Sequence, residues 1–295
     1  MSKLTNLLWA ILATLVAMPA MAQGVVVFKK DGTRMVFPYE TIDSIVTYNY
    51  DEAPPTGGNT TNDGENKVYT VNGVSFTMVA VKGGTFTMGA TAEQTGALSD
   101  ESPTHSVTLS DFYIGETEVT QELWQAVMGS NPSSFTGNMQ RPVENVSWND
   151  CQTFITKLNE LTGETFALPT EAQWEYAARG GNASKGYLYY SGSNSIGDVA
   201  WYADNSSGTT HPVKSKSPNE LGLYDMSGNV REWCADWYGS YSSTSQTNPV
   251  GPNTGSNRVL RGGSWISCAL YCRFAYRYDN SPSSTSDYDG FRLAH

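Results

Sequence analysis

Residues 219–233 read NELGLYDMSGNVREW, residues 261–265 read RGGSW, and residues 290–294 read GFRLA. Around these three stretches, the chain beyond residue 182 is rich in Gly, Ser, Asn and aromatic residues. It has no apolar period of 3.6 residues long enough for a further long helix. This part of the chain is therefore predicted to be loop-rich, with short elements.

Upstream, three helices are predicted from their end signals and apolar spacing. Thr120 caps the first helix, which ends at Gly129. A capping box beginning at Ser147 starts the second, whose apolar residues share one face before Gly163. Thr170 begins the third, and a Gly-Gly pair ends it. Helices mixed with loops and strand-like runs predict an α+β domain.

Composition and charge restrict the classes of function. The 295 residues carry 18 Lys and Arg against 29 Asp and Glu, a net charge of -11. An acidic chain without a basic stripe does not bind nucleic acid by neutralising phosphates. Only 3 His argue against a multi-histidine metal site, and 12% aromatic residues argue for a packed core.

The amino terminus is predicted to be a cleaved secretory signal over residues 1–22. Lys3 supplies the positive charge, residues 7–17 form the apolar core, and residues 20–22 read AMA. A membrane anchor is the alternative, but the apolar run is short for a span. The protein is therefore expected to be exported to the periplasm, cell surface or medium, with no membrane span after signal removal.

Three further segments follow the signal. Residues 23–50 contain strand-like runs around Asp31-Gly32 and another at 45–48, and they predict a small β-hairpin module that docks or spaces the protein. Residues 51–66 are rich in Pro, Gly, Asn and Thr and predict a flexible linker. Residues 67–295 then form the main domain.

Further runs in the main domain occur in a specific order. Besides the three stretches above, they are GGTFTMG at 83–89, ETEVT at 116–120, PVENVSW at 142–148 and LPTEAQWEYAARGG at 168–181. Together the runs resemble the formylglycine-generating enzyme (sulfatase-modifying factor) family over about all of 67–295. The resemblance implies an elaborated, loop-rich C-type-lectin-like fold. Fold alone does not settle function. Trp148, Trp174 and Trp233 lie in these framework runs and are expected to be buried.

The resemblance implies copper chemistry only if two thiols are in place. Family oxidases hold copper(I) with a Cys-x4-Cys pair that begins two residues after the Gly-Gly-Ser-Tyr/Trp run, and thiolates suit that ion. That frame places Ser267 at the first position and Cys272 at the second, while Cys268 lies one residue late. The alternative reading as an oxidase would use Cys272, Cys268 and Ser264.

The chain has four cysteines, Cys151, Cys234, Cys268 and Cys272. Export makes disulfides feasible, and four cysteines allow three full pairings. The sequence favours Cys151 and Cys234 as small buried apolar residues.

The resemblance also implies a calcium loop over 225–232. The predicted ligands are two carboxylates and three backbone carbonyls: Asp225, Met226, Gly228, Val230 and Glu232. Calcium takes six to eight such oxygens. In the alternative, the Glu232 carboxylate accepts hydrogen bonds from backbone amides of the loop, and no metal is bound. Arg231 stands where the family often has Trp, and its charge is expected to weaken a cation site.

Residues 266–295 lack Lys, Glu, Gln, Met and Trp, although roughly five such residues are expected in 30. The segment instead holds four Tyr and five Ser, a mixture typical of adaptable binding loops. The side chains expected to face a ligand are Ile266, Ser267, Cys268, Leu270, Tyr271, Phe274, Tyr278, Asp279, Tyr288 and Asp289.

The missing residue types have a second interpretation. A codon AAC or AAT mutated at its adenines never encodes Trp, Met, Gln, Lys or Glu, but it does encode Ile, Ser, Cys, Leu, Tyr, Phe and Asp. The layout resembles the variable proteins of diversity-generating retroelements, whose hypervariable stretch lies between GGSW-type and GFRLA-type runs. A loop-rich tail of biased composition is the plain alternative.

The first hypothesis is thus an exported binding protein that presents its C-terminal segment to a protein or cell-surface ligand. The second is the copper oxidase acting on cysteine-containing peptides. The third is a structural surface protein whose residues 24–50 dock onto an assembly.

Overall fold

The computed structural model describes residues 64–295 and, upstream, the backbone of residues 24–28 and 34–38. The chain divides into two units, Met1–Asn59 and Thr60–His295. In the first unit, β1 (Gly24–Phe28) and β2 (Arg34–Pro38) pair antiparallel. The predicted signal, the strand-like run at 45–48 and most of the predicted linker lie outside the described residues.

Among residues 64–295, ten strands form three small sheets. The first has the order β3 (Lys67–Val71), β4 (Val74–Val81), β7 (Phe112–Gly115). The second has the order β5 (Gly84–Met88), β6 (His105–Leu109), β9 (Gln246–Thr247). The third has the order β11 (Arg277–Asn280), β10 (Arg258–Arg261), β8 (Arg231–Trp237), β12 (Asp289–Gly290).

The helices are α1 (Gln121–Met128), α2 (Trp148–Thr162), α3 (Glu171–Ala178) and the single turn α4 (Ile196–Val199). The predicted N-terminal caps are confirmed, because the side chains of Thr120, Ser147 and Thr170 each accept a backbone N–H of the first turn. Gly129 and Gly163 end α1 and α2 in the left-handed conformation. These caps fix where each helix begins and ends.

Two buried apolar clusters form the core. One packs α3 against β6 and β10 and includes Trp174, while the other packs α1 and α2 against β8 and includes Trp233. Both tryptophans are fully buried, as the sequence predicts. Trp148, also predicted to be buried, is only half-buried, and Arg258 covers one face of its ring, 3.9 Å from the centroid.

The C-terminal residues close the domain by pairing with its early strands. His295 and Tyr113 exchange backbone hydrogen bonds, and Ala294 and Ala167 do the same. The result is the predicted α+β, loop-rich architecture. No helix in the described part of the chain is long and apolar enough to span a bilayer.

Candidate ligand-binding site

The segment between β10 and β11 leaves the third sheet through a Gly-Gly turn. Gly262 and Gly263 have φ of +93° and +71°, which favour glycine. A Cβ on Gly263 would lie 2.5 Å from the carbonyl oxygen of Tyr271 and 2.8 Å from Sγ of Cys272. The turn therefore packs directly against the segment that follows it, which places residues 264–278 at one end of the sheet.

Two serines fix the start of this segment. The Ser264 amide donates to Oγ of Ser267 at 3.0 Å, and the two hydroxyls lie 3.1 Å apart. The Ser267 amide returns a hydrogen bond to the Ser264 carbonyl at 3.0 Å. Ser267 thus closes a tight turn at the position where the copper frame requires a thiol.

An open cavity of about 490 Å³ lies over this turn. The side chains that line it come from β8, the segment after β10, β11 and the residue before β12. They are Arg231, Ser264, Ile266, Ser267, Cys268, Tyr271, Tyr276, Tyr278 and Tyr288. Six of the ten side chains predicted to face a ligand therefore meet in one place.

The other four predicted residues do not line the cavity. Phe274 and Asp289 are fully buried, which corrects the expectation that they face solvent. Asp279 accepts a hydrogen bond from Asn257 at 2.5 Å. Leu270 faces Gly96, where an added Cβ would lie 2.7 Å from Cδ1 of the leucine.

Two buried arginines that the sequence analysis missed anchor residues 264–278 to the interior of the domain. Both terminal nitrogens of Arg273 donate to Glu101 at 2.6 Å. Arg277 binds both carboxylate oxygens of Glu171 at 2.6 and 2.7 Å. Because Arg273 and Arg277 are paired inside the domain, residues 272–277 are all buried. Tyr271 and Tyr278, which flank this stretch, are exposed.

Arg231, another residue outside the predicted set, lies on the floor of the cavity. Its Nε donates to Oδ1 of Asp289 at 2.7 Å. Its guanidinium stacks on the rings of Tyr278 and Tyr288, 4.0 and 4.5 Å from their centroids. Its contacts with two distant parts of the chain, Tyr278 and the pair Tyr288-Asp289, reveal this role, whereas the sequence shows only one charged residue in an irregular run.

Cys272, at the second position of the copper frame, and Cys268, one residue after the first position, stand in different environments. Cys272 is fully buried, and burial raises the pKa of its thiol well above the ordinary value. Cys268 is exposed at the cavity rim, and both are free thiols, as are the buried Cys151 and Cys234. The first position of the copper frame is held by the Ser267 hydroxyl, which is not a soft ligand, so the Cys-x4-Cys donor set that suits copper(I) is incomplete.

Glu232, predicted as a calcium ligand, serves another partner. Its two carboxylate oxygens accept from Arg292 at 2.6 and 2.7 Å, and Oε2 also accepts from the Trp174 indole at 2.7 Å. Glu232 is thus the buried counter-ion of Arg292, and its role as a calcium ligand stays a prediction.

Asp225 suits a cation better. Its Oδ2 accepts the Lys214 amide at 2.9 Å, whereas Oδ1 is buried without a hydrogen-bond partner. Burial raises the pKa of Asp225 to about 6, and the nearby charge of Glu232 adds to the rise. Within residues 64–295, no group of three or more His, Cys, Asp or Glu side chains is arranged to hold a metal ion. The carbonyls of Met226, Gly228 and Val230 would have to supply most other ligands.

The small sheets, the Gly-Gly-Ser-Trp turn and the irregular segment over it define a C-type-lectin-like domain of the formylglycine-generating type. The family model described as "Sulfatase-modifying factor enzyme 1-like domain" matches residues 67–295. The chain therefore belongs to the sulfatase-modifying factor family.

Individual relatives agree on the fold and differ in their described roles. The structure of Treponema denticola variable protein 1 superposes with a TM-score of 0.70 and 38% identity, covering 78% of this chain and 98% of that one. "Chaperone protein LppX" of Paenibacillus barcinonensis is 36% identical over 75% of this chain and 85% of its own length. The formylglycine-generating enzyme of Streptomyces coelicolor is 32% identical over 73% and 88%. The resemblance to a variable protein is thus found in a solved structure as well as in the motifs.

Proposed function

We propose that this protein is an exported binding protein that holds its ligand in the cavity over the Gly-Gly-Ser-Trp turn. The observation that carries the proposal is the convergence of Ile266, Tyr271 and Tyr278 on one cavity while their neighbours are locked inside the domain. These three side chains are 55%, 39% and 38% exposed. Exposed aromatic and apolar side chains on a rigid support are typical of interface anchors.

The same arrangement supports a diversified surface. The exposed positions carry residues that an adenine-mutated AAC or AAT codon encodes, as described above. The framework beneath them is set by buried ion pairs such as Arg273–Glu101, which do not involve the cavity residues. Substitution at Ile266, Cys268 or Tyr271 therefore changes the recognition surface without removing a support of the fold.

Oxidation of a cysteine-containing peptide is a weaker explanation of this site. The frame position of the first thiol holds Ser267, whose hydroxyl is engaged with Ser264. The second thiol, Cys272, is fully buried. We therefore expect the purified protein to leave a sulfatase-type Cys-x-Pro-x-Arg peptide unmodified.

Binding is tested by selecting a ligand from a glycan array and a random-peptide phage library. We expect Tyr271→Ala and Tyr278→Ala to weaken binding to the selected ligand at least tenfold, because aromatic anchors dominate interface energies. Leu161→Ala is the control, since Leu161 is 52% exposed on α2 and does not line the cavity. Binding is measured by calorimetry and stability by thermal melting.

Two outcomes would overturn the proposal. One is equal loss of binding in all three variants with unchanged melting temperatures. The other is formylglycine detected in the peptide by mass spectrometry and lost in Cys272→Ala, which would establish the oxidase.

Calcium at the 225–232 loop is part of the proposal, with Asp225 as its carboxylate ligand. A ligand of the native state stabilises by mass action, so chelation by EGTA is expected to lower the melting temperature. Asp225→Asn should remove the response, whereas Asp204→Asn, at an exposed position, should keep it. Identical melting curves with and without chelator would remove calcium from the account.

A further inference from the structure

The residues that line the cavity are unusual in their charge. Although the chain carries a net charge of -11, the lining contains one cationic side chain, Arg231, and no Asp, Glu or Lys among the described residues. The other polar groups are tyrosine and serine hydroxyls and the Cys268 thiol, all of which can donate a hydrogen bond. This is a donor-rich lining on an acidic protein.

The position of Arg231 is fixed from several sides. Its amide donates to the carbonyl of Tyr288 at 2.8 Å, its Nε binds Asp289, and its guanidinium is stacked against two tyrosine rings. Asp289 is fully buried, so the ion pair lies on the protein side of the guanidinium, and Arg231 keeps 12% of its side chain exposed. An arginine fork has five N–H donors, and the bond to Asp289 uses one of them.

The walls beside Arg231 are aromatic. The rings of Tyr271 and Tyr276 lie 4.7 Å apart at an interplanar angle of 32°, and Tyr278 and Tyr288 stand against the guanidinium. Such walls hold a flat apolar body, and a stacked arginine binds carboxylates through paired, charge-assisted hydrogen bonds. The two requirements point to a single kind of ligand group.

We propose that Arg231 is the fixed anchor of the cavity and that the ligand presents a carboxylate attached to a flat, apolar ring. This inference rests on the proposed binding function and specifies its ligand class. The exposed residues of 266–278 select among such ligands, while Arg231, positioned by Asp289, supplies the contact with the carboxylate.

The test uses phenylacetate as the probe and phenylacetamide, of nearly the same shape but neutral, as its matched control. Binding is followed by chemical-shift changes in the intact mature protein labelled with ¹⁵N. We expect the acid to bind with a Kd on the order of millimolar, as suits a small fragment, and at least tenfold more tightly than the amide. The shifts should map to Arg231, Tyr271 and Tyr278.

The variant Arg231→Gln/Asp289→Asn replaces the ion pair by a neutral amide pair, which avoids leaving Asp289 buried and unpaired. It should keep its melting temperature within a few degrees and lose the preference for the acid. Arg231→Lys keeps the charge but not the planar fork and should retain only part of the preference. Equal affinity for acid and amide in the unmodified protein, or an unchanged preference in the double variant, would overturn the inference.

Failure of this inference is distinguishable from failure of the proposed function. If a selected ligand depends on Tyr271 and Tyr278 but not on Arg231, the cavity binds ligands and the carboxylate assignment is wrong. If it depends on none of the three, the cavity is not the binding site and both are wrong.

Discussion

Replacing Arg261 with methionine is expected to lower the free energy of unfolding by about 3–5 kcal/mol, because the change removes a buried cation shared by Glu171 and Glu175 and leaves each carboxylate with only one arginine. Arg261 is fully buried on β10. Its Nη1 donates to Glu171 at 2.6 Å, and its Nη2 donates to Glu175 at 2.7 Å and to the carbonyl oxygen of Phe274. The measurement is urea unfolding followed by tryptophan fluorescence.

The charge state of Glu171 explains the size of the effect. Burial opposes its ionisation, but the charges of Arg277 and Arg261 outweigh burial and hold its pKa at about 2. The contribution to stability is therefore complete above the ordinary pKa of about 4.5 and lost as the pH falls toward 2. In Arg261→Met, the free energy of unfolding should be lower at pH 7 and should also fall less steeply as the pH is lowered from about 4.5 toward 2.

The matched control is Lys82→Met, which removes the cation of an exposed pair. Lys82 lies 2.7 Å from Asp111 with 59% of its side chain accessible. Because water and salt screen such pairs, the melting temperature should hardly move. Equal losses in the two variants would mean that the buried network does not hold α3 to the third sheet.

The sequence predicts the framework well because local signals determine it. Capping side chains such as Ser147 act within one turn of their helix, and glycines such as Gly163 end helices through their own backbone conformation. Trp174 and Trp233 are buried as predicted. Each lies in a long run that resembles the family, so the neighbouring residues of the sequence also indicate that the position belongs to the framework.

The cavity is predicted only in part because the segment over it lacks a regular period. Residues Ala269–Cys272 form a short 3-10 turn, and the chain then runs inward through Arg273 and Arg277. Neither strand alternation nor helical spacing describes that path, so Phe274 was predicted on the wrong side. The buried arginines are missed for another reason: a charged residue is ordinarily exposed, and its partner Glu101 or Glu171 lies more than 100 positions away.

Phe274→Ala and Tyr271→Ala, three positions apart, are expected to behave oppositely. Phe274 is fully buried in the cluster that contains Trp174, and Arg179 stacks on its ring 4.1 Å from the centroid. Its truncation should cost about 3–5 kcal/mol through lost burial and the cavity left behind. Tyr271→Ala, at a side chain 39% exposed, should cost about 0.5 kcal/mol or less.

Binding should separate the two residues in the opposite sense. At a temperature where both variants are folded, Tyr271→Ala loses affinity for the selected ligand, whereas Phe274→Ala keeps it, since Phe274 does not line the cavity. Urea unfolding measures the stability of each variant, and calorimetry measures its affinity. Together they show which residues of the segment support the fold and which form the recognition surface. If Tyr271→Ala proves as destabilising as Phe274→Ala, the tyrosine belongs to the core and the proposed surface loses its central anchor.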